Sequence, residues 1–402
     1  MKTSALLVVS GILALGVIGC DKDSKDPENK ASGDENLAGE TVKVGENASS
    51  AKKLFVLNEG GMGSNNATLD FLDLRTGKYV RDAYGKMNPE IPLGLGDVGN
   101  DIAVAAGKLW IVVNNSGIVE VVDPENERHI ATVAIPTPRN IAFDDTYAYV
   151  SSWAGAYAAY GADYSVDPGA SRNPKGQVYR IRLKDYSLDG SVEVGYQPEG
   201  LAVSGGKLYV ANSGGIASQL PPDYSYDNTV SVIDLASFTV VKTIEVAPNL
   251  KAVFASPDGS LFVTTMGNYY DVHSGLYRIK EDALLGRVEE GGDIGCNVSV
   301  ATMDADGFFW ALGNDTEFDW SAAHSWYLWS SNALSSPAVG YYPDFTFSGS
   351  VPYGLFVDGT DVYVADAGDY YNPGTLSLYQ SGSYQKQWTV TAGVCPGHFA
   401  IW

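Results

Sequence analysis

The chain has 402 residues and a formal charge of −22, from 48 Asp and Glu against 26 Lys and Arg. The length allows one large domain or two to three ordinary ones. So acidic a chain lacks the clustered Lys and Arg that grip phosphate backbones or anionic headgroups, which excludes nucleic acid and peripheral membrane binding as roles. With 18% charged residues, 45 Gly and 25 Tyr, its surface is covered largely by small polar and aromatic side chains.

Met1-Lys2 gives a positive start, and residues 6–18 form an apolar run too short to span a bilayer, with the proportions of a signal-peptide core. The run ends in Val17-Ile18-Gly19-Cys20, which resembles the bacterial lipobox, where the Cys becomes the lipidated first residue. Residues 21–50 carry almost no large apolar side chain and cannot bury enough surface to fold. The expected division is 1–19 signal peptide, 20–51 lipidated flexible tether and 52–402 folded domain. Cys20 is then the lipid anchor, in the outer membrane. The acidic residues after Cys20 resemble surface-export signals of lipoproteins in gut Gram-negative anaerobes, so the domain is expected to face the cell exterior.

From Lys53 onward one pattern recurs. A first strand such as Asn100-Asp101-Ile102-Ala103-Val104, Arg139-Asn140-Ile141-Ala142-Phe143 or Glu199-Gly200-Leu201-Ala202-Val203 precedes a Gly or Asp turn. A second strand follows, as in Leu109-Trp110-Ile111-Val112 or Leu208-Tyr209-Val210-Ala211, then an alternating third (Val230-Ser231-Val232-Ile233-Asp234) and a fourth. β-Branched and aromatic runs bounded by Gly, Asp and Asn have strand composition. Four strands repeating every ~40 to 60 residues predict a β-propeller. Second strands begin near residues 53, 108, 147, 207, 260, 307 and 361, and first strands near 100, 139, 199, 250, 298, 353 and 397. The chain therefore starts on a second strand and ends on a first one. The fold expected is all-β, a seven-bladed β-propeller closed by the C-terminal strand, which leaves no open edge in the ring.

Loops joining second to third strands share a face with the inter-blade links, and the long ones lie there. They hold Trp153, Tyr224 and Tyr226, Tyr269 and Tyr270, Trp320, and Tyr370 and Tyr371. The second-strand ends add Asn58, Asn114, Asn212 and Asp366 around the expected channel mouth. Flat aromatic area and adaptable polar groups, on long loops over a rigid scaffold, make this face the candidate binding surface. For each Asn, a role in blade packing is the alternative.

No G-x-S-x-G, H-E-x-x-H or phosphate-cradling loop is present, and the four His residues are scattered without ligand spacing. His398 falls on the closing strand, either at the channel mouth or in a structural hydrogen bond. The expectation is a binding protein rather than an enzyme, with no catalytic residues, cofactor or bound metal.

The opening motif Phe55-Val56-Leu57-Asn58-Glu59-Gly60-Gly61-Met62-Gly63-Ser64-Asn65-Asn66-Ala67, the repeats ending Tyr209-Val210-Ala211-Asn212 and Tyr363-Val364-Ala365-Asp366, and Cys395-Pro396-Gly397-His398 carry a resemblance. Over residues 53–402 the chain resembles the YncE-like propeller lipoproteins of gut Gram-negative anaerobes, and among them the BtuG-type surface lipoproteins. The resemblance implies capture of cobalamin (vitamin B12) or a related corrinoid and its transfer to a TonB-dependent outer-membrane transporter. A YncE-like surface propeller for another ligand, a glycan, peptide or protein partner, is the alternative.

Overall fold

The computed structural model describes residues 37–44, 52–154, 175–214, 226–268, 271–288, 297–303, 307–314, 325–332, 344–347 and 352–402. They form seven sheets, the blades of a ring. Blade two is Gly99–Ala105, Lys108–Val113, Ile118–Val122 and His129–Ala134; blade three is Pro138–Phe143, Tyr147–Ser152, Gln177–Arg182 and Leu188–Glu193. Blades four to seven start with the inner strands Pro198–Ser204, Leu250–Ala255, Asn297–Met303 and Pro352–Asp358, and each continues outward in chain order. Second strands such as Lys108–Val113 are buried on both faces because they lie between neighbouring blades, which explains their continuous apolar runs. Outer strands such as Thr239–Glu245 are mostly exposed and polar.

Blade one closes the ring. Its strands Lys53–Asn58, Thr68–Asp73 and Lys78–Val80 are completed on the inside by Pro396–Ile401, with Leu54 opposite Ile401, Val56 opposite Phe399 and Leu57 opposite His398. A buried ion pair ties blade one to blade two: Lys53 Nζ lies 2.6 Å from Glu127 Oε1 and donates to the carbonyl of Glu125 at 2.8 Å. The same ammonium sits 4.5 Å from the Phe71 ring centre. A one-turn helix, Ala83–Met87, lines the link between these blades, a small departure from the all-β expectation.

Residues 40–44, within the segment expected to be a tether, are built into the ring. Glu40–Thr41 pairs antiparallel with the outer strand of blade one, Glu40 opposite Tyr79 and Thr41 opposite Lys78. Val42 N donates to Gly77 O at 2.8 Å, and Trp388 Nε1 of blade seven donates to Lys43 O at 2.8 Å. Gly77 is required there: its φ of 74° is left-handed, and a Cβ would strike the Val42 carbonyl. Residues 40–44 thus strap the outer edge where the two blades meet.

One backbone feature positions the site. Each inner strand has a register irregularity near its start, between Gly99 and Asp101 in blade two and between Leu250 and Ala252 in blade five, with counterparts in the rest. The strands are entered through left-handed, non-glycine residues at Val98, Thr137, Gln197, Asn249 and Cys395, with φ between 40° and 64°. An extra residue in a strand frees one side chain from the pleat and re-aims it.

Candidate functional site at the axial mouth

The freed side chains are polar and meet at the axis. At or beside the irregularities stand Arg139 in blade three, Glu199 in blade four, Lys251 in blade five and Tyr353 in blade seven. Blade one contributes Glu59, the residue after its second strand, and His398 from its closing strand. Arg139 Nε pairs with Glu199 Oε2 at 3.0 Å. Tyr353 Oη donates to Glu59 Oε2 at 2.7 Å, and His398 Nε2 lies 2.9 Å from Glu59 Oε1. Lys251 is influenced by the charges of Glu59, Glu199 and Arg139, from blades one, four and three. One side chain in blade five reaches all three only from the axis.

The main chain holds these groups in place. Glu59 N donates to Cys395 O at 2.9 Å, and Gly99 N donates to Glu59 O at 3.1 Å, so Glu59 is fixed between blades one and two. Gly60 turns the chain away at φ 77°, where a Cβ would collide with Asn66 and Ala67. Gly63 N donates to the Asp97 carboxylate at 2.9 Å. The Gly-rich opening motif is thus a fixed loop that aims the Glu59 carboxylate at the axis. Ser151 Oγ donates to Glu199 O at 2.7 Å, and Asn100 Nδ2 to Arg139 O at 2.7 Å, bracing the neighbouring strands.

Electrostatics follow from burial opposed by partners. Burial raises the Glu59 pKa, but His398, Tyr353 and Lys251 together outweigh it and hold the carboxyl below its ordinary range. Asp101 shows the opposite balance: burial pushes it up despite the His398 charge, main-chain donors at Ile141 and Ile102, and Asn140. Burial depresses the Lys251 ammonium, Arg139 adds to this, and Glu59 and Glu199 resist. By accessible surface Lys251 is nevertheless exposed to solvent. The Cys395 thiol is pushed up to about 11, first by burial and then by Glu59 and Asp369. It is therefore a poor nucleophile.

Two expected residues flank this polar ring. The Arg139 guanidinium stacks 4.5 Å from the Trp153 ring centre. Tyr370 packs edge-on against Tyr353 with centroids 5.8 Å apart, and its carbonyl accepts from Cys395 Sγ at 3.6 Å. Tyr371 beside it is 87% exposed. Asp366 accepts from Gly368 N at 2.7 Å, ordering the same loop, and Tyr226 is half-buried. The three Asn residues are placed differently from the expected mouth. Asn58, Asn114 and Asn212 are all buried, with amides bonded to Thr68 and Gly393, to the Pro138 carbonyl, and to Thr229 and Ser231 respectively. In these positions their amides tie strand ends together. Tyr224, Tyr269, Tyr270, Trp320 and Cys20 lie outside the described residues.

Sequence reasoning passed over Glu59, Arg139, Glu199, Lys251 and Tyr353. A signal was present: Arg139, Glu199, Lys251 and Tyr353 each interrupt an otherwise apolar strand at its first positions. Among the described residues no cluster of three or more His, Cys, Asp or Glu could hold a metal ion. His129 is paired through Nδ1 with Glu120 at 2.9 Å, a contact within blade two.

No protein-family model and no curated protein matches the chain. Solved structures do. A functionally unknown protein from Desulfotomaculum acetoxidans is 12% identical, with a TM-score of 0.59 over 87% of this chain and 99% of that one. The periplasmic gluconolactonase of Pseudomonas aeruginosa is 15% identical, with a TM-score of 0.56 over 87% and 98%. A quinonprotein alcohol dehydrogenase-like protein from Bacteroides thetaiotaomicron is 14% identical, with a TM-score of 0.56 over 87% and 78%. At such identities the likeness is one of fold. The chain is a seven-bladed β-propeller with a polar, aromatic-flanked axial mouth.

Proposed function

We propose that this propeller is a lipid-anchored protein of the outer-membrane surface that captures cobalamin or a related corrinoid at its axial mouth and passes it to a TonB-dependent transporter. The carrying observation is the composition of that mouth. Arg139 pairs with Glu199, and Glu59 is held by His398 and Tyr353, so most ionic groups of the ring are engaged with one another while many donors and acceptors remain. Trp153 and Tyr370 add flat apolar area beside it. A corrin has that complementary character: a broad ring edged by amides and carrying no large net charge. Polar groups fix orientation and aromatic faces supply contact area. The resemblance carried by the opening motif favours a corrinoid over other amide- or hydroxyl-rich ligands, and the same motif places Glu59 in the mouth.

On this reading the protein binds and releases its ligand without chemistry, and Cys20 holds it to the membrane. Titration calorimetry of the full chain with cyanocobalamin tests the function. Saturable binding at or below micromolar concentration is expected; no heat at micromolar protein overturns it. A glycan array then tests the alternative, for which the same donors and stacking faces are suited.

A further inference from the structure

Lys251 differs from the other ions of the ring. Arg139 is paired with Glu199, and Glu59 is taken by His398 and Tyr353. The Lys251 ammonium has three donors, but among the described residues it has no hydrogen-bond partner and no carboxylate within ion-pair distance. The irregularity between Leu250 and Ala252 takes this residue out of the regular pleat and aims its side chain towards the axis. It is exposed to solvent, with the charges of Glu59, Glu199 and Arg139 acting on it. The side chain is exposed, so its donors are open to a ligand entering the mouth, and the two nearby glutamates are already engaged by other partners.

We propose that Lys251 is a ligand-contacting cation of the axial mouth and that it receives a singly charged oxyanion, of the phosphodiester or carboxylate kind. This rests on the axial mouth being the binding site and adds one charged group to its ligand. The anion has two sources. It is carried by the corrinoid, whose nucleotide loop contains a phosphodiester, or it is a small free anion that enters the mouth independently. A charge-assisted hydrogen bond is the strongest contact this ring leaves unmade. Lys suits it better than Arg would, because one compact charge on a flexible stem can meet a single oxygen.

Two arms separate the sources. In the first, the full chain is treated with an amine-acetylating reagent with and without millimolar dimethyl phosphate, and modification is read by mass spectrometry. Lys184, whose side chain is 78% exposed, is the internal reference. Slowing of Lys251 labelling by at least fivefold, with Lys184 unchanged, supports a free-anion site; equal labelling overturns that source. In the second arm, cyanocobalamin and dicyanocobinamide, which lacks the nucleotide loop, are titrated into wild type, Lys251→Met and Lys251→Arg. A loss of at least tenfold for cobalamin in Lys251→Met, with none for cobinamide and partial retention in Lys251→Arg, assigns the anion to the phosphodiester. Equal loss for both corrinoids overturns that assignment. Unchanged affinities together with unprotected Lys251 overturn the inference altogether. If wild type binds no corrinoid but Lys251 is protected by dimethyl phosphate, the function proposed above fails and the anion site stands.

Discussion

His398 Nε2 lies 2.9 Å from Glu59 Oε1, across a sequence separation of 339 residues. The strand that closes the ring therefore also completes the axial mouth. Replacing Glu59 by Gln removes the acceptor charge shared by His398 and Tyr353, and His398→Gln removes the other partner. Each single change is expected to weaken corrinoid binding at least tenfold. The double variant should lose less than the sum, because the two residues act through one contact. Calorimetry on all four proteins measures this coupling, and full additivity would separate the two roles.

The buried acids set a pH dependence whose direction can be worked out. Burial raises Asp101 and Asp70, in the latter case against donors from Asp82 N and Tyr79 Oη, each 2.8 Å away. An acid with a raised folded pKa costs stability while ionised, so stability returns as pH falls through the folded value towards the unfolded one. Glu59 and Asp282 are held low, and their stabilisation is lost as pH falls through their folded values, below the ordinary carboxylate range. Stability should rise on acidification from neutrality and collapse below about pH 4. Denaturant midpoints across this range test the curve, and Asp101→Asn should flatten its rising limb.

The ring was legible in the sequence because a strand buried on both faces must be apolar throughout, as in Leu109 to Val113, and such runs recur with turn residues between them. Its closure was legible from the order of first and second strands alone. The axial ring was harder to find. Arg139, Glu199 and Lys251 reach the axis through an irregularity of pairing, and a strict alternation argument assigns such residues to one sheet face or the other. The Asn residues erred in the opposite sense. A polar residue at the end of an apolar strand suggests solvent, but Asn58 spends its amide on Thr68 and Gly393 inside the ring. The strap was hidden by its polar setting, although Thr41-Val42-Lys43-Val44 does alternate.

Lys53 and Glu127 form a buried pair with side chains 3% and 0% exposed. Breaking such a pair leaves one charge buried without its counter-ion, which commonly costs ~3–5 kcal/mol. Lys53→Met is therefore expected to destabilise the propeller by about that amount. Lys53→Met combined with Glu127→Leu should recover most of the loss. Equilibrium denaturation of the three variants checks both statements, and a neutral Lys53→Met would mean that the pair adds no net stability.

The strap bears on the proposed anchoring through Cys20. Between Cys20 and residue 37 the chain can extend at most ~60 Å, at ~3.3–3.6 Å per residue, before it meets blade one. Cys20→Ala should release the protein from the membrane fraction and leave its unfolding midpoint unchanged, because Glu40 and Thr41 still pair with the outer strand of blade one and Lys43 still accepts from Trp388. Retention of that variant in the membrane fraction would point to a second anchor.

Trp153 and Tyr370 supply the aromatic part of the mouth, one against Arg139 and one against Tyr353. If the ligand is held by stacking as well as by polar groups, each truncation removes a face that its partner cannot replace. Buried aromatic contacts at binding hot spots are worth ~2 kcal/mol or more, so Trp153→Ala or Tyr370→Ala should each weaken cobalamin binding by more than tenfold. For dicyanocobinamide, which offers Lys251 no phosphodiester, raising the salt from low to molar concentration is expected to change affinity by only a few fold, because stacking and neutral hydrogen bonds are little screened. Coordination of cobalt by a loop imidazole such as His273 would behave differently. It would shift the corrin absorption spectrum. An unshifted spectrum, a flat response of cobinamide binding to salt and a tenfold loss in either aromatic variant together assign capture to stacking over the axial ring. Full affinity in the Trp153→Ala, Tyr370→Ala double variant would move the ligand off this mouth.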